Sequence, residues 1–145
     1  MLLTNRSCLV VGGGSVACRK ISGLLDAGAL VTVVAIRVNP EILSLAGDHR
    51  LSLHLRPYQE SDLQSMRLVF AATGNPEINA RIIADCREKR ILCCAVDHHW
   101  PAGDFITPAS FQHEGVTVSI STGGSSCKEA KQVRKILEKQ LKNLG

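Results

Sequence analysis

Gly12-Gly13-Gly14-Ser15-Val16-Ala17 lies directly between an apolar run, Cys8-Leu9-Val10-Val11, and a helical pattern that begins near Val16. A G-x-G-x-x-A turn joining a strand to a helix is the physical signature of a dinucleotide pyrophosphate site. Gly12 permits the tight turn out of the strand, Gly14 lets the backbone approach a phosphate, and Ala17 is small enough for the helix to pack on the strand. The N–H groups at the helix start then face the anion. The plainer alternative for the same residues is a tight strand–helix turn that holds no ligand.

The rest of the chain repeats this grammar. Strands are expected at 9–11, 30–35, 51–55, 68–72 and 91–96, the last ending at Asp97. The continuous β-branched run at 30–35 is typical of a strand buried on both faces, whereas Ser52 and His54 alternate with leucines as on an edge strand. Helices are expected at 15–27, stopped by Gly28, at 41–46 after the Asn39-Pro40 break, and from Pro76 to about Lys89. A short helical turn begins at Ser61-Asp62. Strands alternating with helices imply an α/β fold, a Rossmann-like doubly wound parallel sheet. After Asp97 the pattern changes to a hairpin, 105–111 and 116–121 around His113-Glu114-Gly115. A Thr122-Gly123-Gly124-Ser125-Ser126 link follows, and then a final helix capped by Ser125 or Ser126. That helix carries Ala130, Val133, Ile136, Leu137 and Leu141 on its apolar face. The division expected is a nucleotide-binding part at 1–103 and a hairpin with a basic helix at 104–145.

The net charge of +4 resides in that last helix. Lys128, Lys131, Arg134, Lys135, Lys139 and Lys142 outnumber Glu129 and Glu138, while the remainder of the chain balances. We read the helix as a solvated amphipathic face in preference to an anion-binding one. With no interleaved aromatics and no nucleic-acid motif, nucleic acid is not an expected partner. The first residues lack a signal-peptide core, and no apolar run has membrane-spanning length, so a cytoplasmic protein without a membrane partner is expected. The six cysteines, Cys8, Cys18, Cys86, Cys93, Cys94 and Cys127, form no zinc spacing and are expected to be reduced, mostly as small buried hydrophobes. Cys93 and Cys94, adjacent on a strand, should point to opposite faces; no metal site is expected.

Open parallel sheets present ligands at the C-terminal ends of their strands. Beyond the glycine turn, two such ends stand out. At Ala35-Ile36-Arg37 the acidic residue that often binds the ribose hydroxyls is missing; Arg37 either favours the extra phosphate of NADP or is a plain surface residue, and NAD is the expected cofactor. At the end of the fifth strand, taken as a central one, Asp97 can give or take a proton as a hydride moves; otherwise it is a loop carboxylate. Thr73, ending the fourth strand, either bonds the cofactor or caps the turn. His98 and His99 are read as loop residues in preference to metal ligands.

Residues 8–20, Phe70-Ala71-Ala72-Thr73, Val96-Asp97, Phe105-Ile106-Thr107-Pro108-Ala109-Ser110 and the run from Val118 to Ser126 together resemble precorrin-2 dehydrogenases, the N-terminal module of siroheme synthases. The resemblance departs at Cys127, where the family usually has proline, and at His98-His99-Trp100-Pro101. It implies NAD-dependent oxidation of precorrin-2 to sirohydrochlorin, with iron insertion (ferrochelatase activity) in some members. It places NAD contacts on Ser15, Val16, Ile36 and Arg37, the acting carboxylate on Asp97, and a homodimer interface on the hairpin and last helix. Arg19, Lys20 and the basic helix would attract the eight carboxylates of precorrin-2. A further helical domain that covers the tetrapyrrole in full-length relatives lies outside this sequence. The competing expectations are a non-catalytic module that binds NAD or a tetrapyrrole, and a structural dimerisation domain that binds neither.

Overall fold

The computed structural model describes residues 2–97 and 100–144. Contacts divide the chain into two compact units, Met1–Phe105 and Ile106–Gly145.

The first unit is a five-stranded sheet of β1 (Ser7–Val11), β2 (Leu30–Ala35), β3 (Ser52–Leu55), β4 (Leu68–Ala71) and β5 (Leu92–Ala95), with α1 (Ser15–Asp26), α2 (Pro40–Gly47) and α3 (Pro76–Glu88) between them. The strand order is β3-β2-β1-β4-β5 and every pairing is parallel. The expected doubly wound sheet is therefore present. The chain leaves β1 toward β2 and β3 on one side and returns to β4 and β5 on the other. A crevice consequently opens at the C-terminal ends of β1 and β4, the switch point where such sheets bind ligands.

Strand periodicity sorts the core into two layers. Cys8, Val10, Val31, Val33, Phe70 and Cys94 pack with Ala17, Cys18, Ile21 and Leu24 of α1 on one face. Leu9, Val11, Val34, Val69, Ala71 and Cys93 pack with Ile82, Ile83 and Cys86 of α3 on the other. Cys93 and Cys94 thus do point to opposite faces. Five cysteines are buried and Cys127 is exposed; none is in a disulfide. Burial pushes the Cys94 thiol up to about 11. A hydrogen bond shared with Cys86, and then burial, raise that of Cys93 further. Both are protonated, uncharged fillers of the core.

Helix entry follows side-chain chemistry. Asn39 accepts the Ile42 N–H at 3.1 Å with Pro40 at the first helical position, and Asn75 accepts the Glu77 N–H at 2.9 Å with Pro76 in the same role. Both asparagines satisfy N–H groups that a helix start otherwise leaves unpaired.

Two expectations fail. The fifth strand is not central: β5 pairs only with β4 and lies at the edge of the described sheet. Its unbroken apolar run reflects cover on both faces, which sequence cannot distinguish from flanking strands. Asp104 partly closes that edge, its N–H donating to the Cys93 carbonyl and its Oδ2 accepting the Cys93 N–H, both at 2.8 Å. The first hairpin strand does not begin at 105 either. Phe105 instead sets its ring edge-on to Phe70, with centroids 5.8 Å apart. Pro108 has no N–H to offer a ladder, and β6 starts only after it.

The second unit comprises β6 (Ala109–His113), β7 (Val116–Ile120) and α4 (Cys127–Leu144). β6 and β7 are antiparallel, and His113 pairs with Val116 across the two-residue turn Glu114-Gly115. Both turn residues have positive φ, 47° and 79°, as the twist of a two-residue hairpin requires. Ser126 is the cap of α4, its hydroxyl accepting the Glu129 N–H at 3.1 Å, while Ser125 bonds the Thr122 carbonyl.

The glycines of the first turn differ in what they do. Gly12 has φ +132°, and an added Cβ would lie 2.1 Å from the Ala72 carbonyl oxygen at the end of β4. A Cβ on Gly14 would meet no protein atom within 4 Å. Gly12→Ala should therefore cost at least ~2 kcal/mol through clash and a disfavoured φ, lowering Tm by roughly 5–10 °C. Gly14→Ala should stay within ~1 kcal/mol of the parent. Thermal melts of the two variants check this; equal losses would show the turn geometry to be misread.

Candidate nucleotide cleft

The C-terminal ends of β1, β2, β3 and β4 wall a cleft of about 680 Å³. It brings together every sequence-derived candidate: Gly12, Gly14, Ser15, Val16, Ile36, Arg37, Thr73 and Asp97 all line it. His98 and His99 lie outside the described residues.

The cleft floor is the start of α1. Gly14 is its N-cap and contributes no side-chain hydrogen bond, and the first turn carries no acidic residue. The first intrahelical bond at this end runs from the Cys18 N–H to the Gly14 carbonyl, 3.0 Å. The N–H groups ahead of it are therefore neither capped by a side chain nor neutralised by a carboxylate, which suits an anion. Ala17 is fully buried against the sheet, as the motif requires.

One wall is the segment after β2. A Cβ on Gly13 would sit 2.0 Å from the Arg37 carbonyl oxygen, and the Asn39 N–H donates to the Gly13 carbonyl at 2.9 Å. The middle glycine, for which the sequence pattern assigns no function, thus lets the β2–α2 segment lie flat on the turn. Arg56, Pro57 and Tyr58 continue this wall from the end of β3. Arg56 grips the Asp62 carboxylate with both terminal nitrogens, NH1 to Oδ2 at 2.9 Å. Burial pushes the Asp62 carboxyl up, but Arg56 and the Gln59 N–H outweigh it and hold the carboxyl below its ordinary value. Tyr58 donates to Asp85 Oδ2 at 3.0 Å. Burial, and then that carboxylate, raise its phenol well above the usual range, so it is a neutral wall.

The far wall carries the acid. Asn79 is a fully buried polar residue on α3. Its Oδ1 accepts the Thr73 N–H at 3.1 Å and lies 2.6 Å from the Thr73 hydroxyl. Its Nδ2 donates to the Thr73 carbonyl at 3.1 Å and to Asp97 Oδ2 at 2.7 Å. One side chain therefore joins the ends of β4 and β5 and fixes the position of Asp97. That carboxylate is the cleft's acid; no other Asp or Glu lines it among the described residues.

Sequence reasoning missed Asn79, Arg56 and Tyr58. Asn79 had a readable signal: it occupies the apolar stripe 79, 82, 83, 86 of α3, where a polar side chain needs buried partners. Arg56 and Tyr58 carry no local signal, because their place at the cleft depends on β3 pairing with β2.

Asn79→Asp is expected to replace the donor facing Asp97 with a second carboxylate. The variant should lose about 1–3 kcal/mol near pH 7. The crowded pair raises one folded-state pKa above its unfolded value, so the deficit should shrink as pH falls and grow as it rises. Urea titrations at pH 5 and pH 7.5 measure this; a deficit independent of pH would contradict the arrangement.

A family profile described as "Putative NAD(P)-binding" matches residues 1–109. The siroheme synthase of Psychromonas ingrahamii is 40% identical over 136 residues, which cover 94% of this chain and 29% of that protein. The siroheme synthase of Methylococcus capsulatus is 39% identical over 136 residues, covering 94% and 28%. The chain thus spans under a third of the length of these curated relatives. Among solved structures, "SirC, precorrin-2 dehydrogenase" superposes with a TM-score of 0.83 at 30% identity, covering 97% of this chain and 68% of that one. The chain belongs to this putative NAD(P)-binding family and is a relative of SirC and the siroheme synthases.

Proposed function

We propose that the chain is an NAD-dependent dehydrogenase that oxidises precorrin-2 to sirohydrochlorin in siroheme biosynthesis. The observation that carries this reading is one cleft holding an uncapped helix N-terminus behind Gly14 and, across from it, the carboxylate of Asp97. The names of its relatives supply the substrate.

The residues fit a dinucleotide. Gly14 leaves open space beside the helix start, and the N–H groups of Ser15 and Val16 would receive a pyrophosphate there. Ile36 and Arg37, past β2, would hold the adenosine ribose, and Thr73 lines the cleft past β4. The bound dinucleotide supplies the hydride acceptor. Asp97, positioned by Asn79, takes up the proton lost from the macrocycle. Phe105, Phe70 and Lys20 stand together beside β4, the Lys20 ammonium 5.6 Å from the Phe70 ring centroid.

The second unit supports a homodimer. Only Phe111 and Ala130 are buried apolar residues among those described there, while Val116, Val133 and Ile136 are exposed at 61%, 38% and 57%. A two-stranded hairpin with one helix is marginal alone, and pairing with a second copy would cover this apolar surface. We place the protein in the cytoplasm, where its buried, unpaired thiols stay reduced; no described helix is long and apolar enough to cross a membrane.

Turnover is tested with precorrin-2 and NAD+, following sirohydrochlorin absorption. Asp97→Asn should retain NAD+ binding and lose at least ~100-fold in kcat, the usual contribution of a positioned base. Gly14→Val should fold and lose NAD+ affinity. Binding without turnover in the parent chain would favour a carrier module over an enzyme. Light scattering should give about twice the 15.6 kDa chain mass, and Ile136→Glu should halve it; a monomeric parent would remove the dimer.

A further inference from the structure

We infer that Asn79 is a positioning residue of the reaction. It touches neither substrate nor nucleotide, acts through Asp97, and uses Thr73 to hold that carboxylate in place as a proton acceptor. This rests on the dehydrogenase reading above and deepens it.

Asn79 is fully buried and does not line the cleft, whereas Thr73 and Asp97 both do. The main chain of Thr73 fixes the direction of its amide. The Thr73 N–H can only donate and lies 3.1 Å from Oδ1, while the Thr73 carbonyl can only accept and lies 3.1 Å from Nδ2. A flipped amide would set donor against donor and acceptor against acceptor. The second Nδ2 hydrogen is therefore committed to Asp97 Oδ2, 2.7 Å away. A bond donated to a charged oxygen is the stronger kind. Asn79 thus favours the ionised carboxylate, the form that can take up a proton.

The same bonds account for Thr73. Its N–H and carbonyl are both used by Asn79. Its hydroxyl lies 2.6 Å from Asn79 Oδ1 and 3.0 Å from the Asn75 carbonyl, and accepts the Asn75 N–H at 3.2 Å. These polar groups are engaged in holding the amide and the start of α3, and not a cofactor. The helix that carries Asn79 is itself anchored, through Ile82, Ile83 and Cys86, in the core under the sheet. In the proposed reaction the macrocycle loses a hydride to NAD+ and a proton to Asp97. Proton transfer works only over hydrogen-bond distance. A displaced acceptor therefore costs rate and spares binding.

The test compares kinetics, calorimetric NAD+ affinity and thermal melts of the intact chain and its variants. Asn79→Asp keeps the acceptor for the Thr73 N–H and replaces the donor facing Asp97. It should lower kcat at least ~10-fold, with NAD+ affinity and the KM for precorrin-2 within about twofold of the parent. Thr73→Val removes the hydroxyl, keeps both main-chain bonds and should fold; its kcat should drop about threefold with NAD+ affinity unchanged. Asn79→Asp combined with Asp97→Asn sets a donor opposite a carboxylate again. This double variant should regain part of the Tm that Asn79→Asp loses, while its kcat stays at that of Asp97→Asn alone, because Asn79 acts only through that carboxylate. A kcat for Asn79→Asp within about twofold of the parent, or a further ~10-fold loss when it is added to Asp97→Asn, overturns the positioning role and leaves the dehydrogenase reading intact. A fall in NAD+ affinity with Thr73→Val overturns the part given to Thr73. A parent chain that binds NAD+ without turnover overturns both readings.

Discussion

The contact on which the cleft depends is the approach of a glycine backbone to two neighbouring strand ends. Gly12 lies against the Ala72 carbonyl past β4, and Gly13 lies against the Arg37 carbonyl past β2. Side chains at either position would push those segments outward by more than a packed core can absorb. Because both approaches are made by backbone, three strand ends converge on one helix N-terminus with almost no side chain in between. That convergence turns an ordinary switch point into a cleft with an open, electropositive floor.

A second constraint works on the opposite wall. β5 is an edge strand, and its last residues would be poorly held by one ladder alone. Asn79 corrects this from the side: its amide is saturated by Thr73 and Asp97, so the loop after β4 and the loop after β5 share one anchor. A buried amide with all its bonds made is specific in direction, and leaving any of them unmade is costly. The acid of the cleft is thus positioned by a helix rather than by its own strand.

What was legible in the sequence was local. The glycine turn, the β-branched run Leu30–Ala35 and the start of α3 at Pro76 each carry their reason within a few residues and lie where the pattern puts them, while Asn39-Pro40, expected as a break before a helix at 41, is itself the start of α2. What was not legible depended on partners distant in the chain. Strand order decides whether β5 is central, and apolar content reports only that its faces are covered. Phe105 leaves the hairpin for Phe70, thirty-five positions earlier in the numbering. Asn79 advertised itself by breaking an apolar stripe, but its partner Asp97 could not be named without the fold.

The distribution of charge in the cleft follows from these two constraints together. The Gly13 contact holds Arg37 on the side where β2 ends, Arg56 follows β3 on that same side, and the Asn79 anchor brings Asp97 to the side past β4. On the proposed reading, a cofactor rich in phosphate and a reaction that releases a proton need opposite surroundings, and a single mixed site would let Asp97 repel the first while an arginine neutralised the second. Separation across the switch point removes that conflict. It also explains why the missing acid after β2 does not argue against a dinucleotide. In this cleft a carboxylate there would form a second negative centre beside a pyrophosphate, whereas Ile36 and Arg37 leave the helix N-terminus and one cation to set the field.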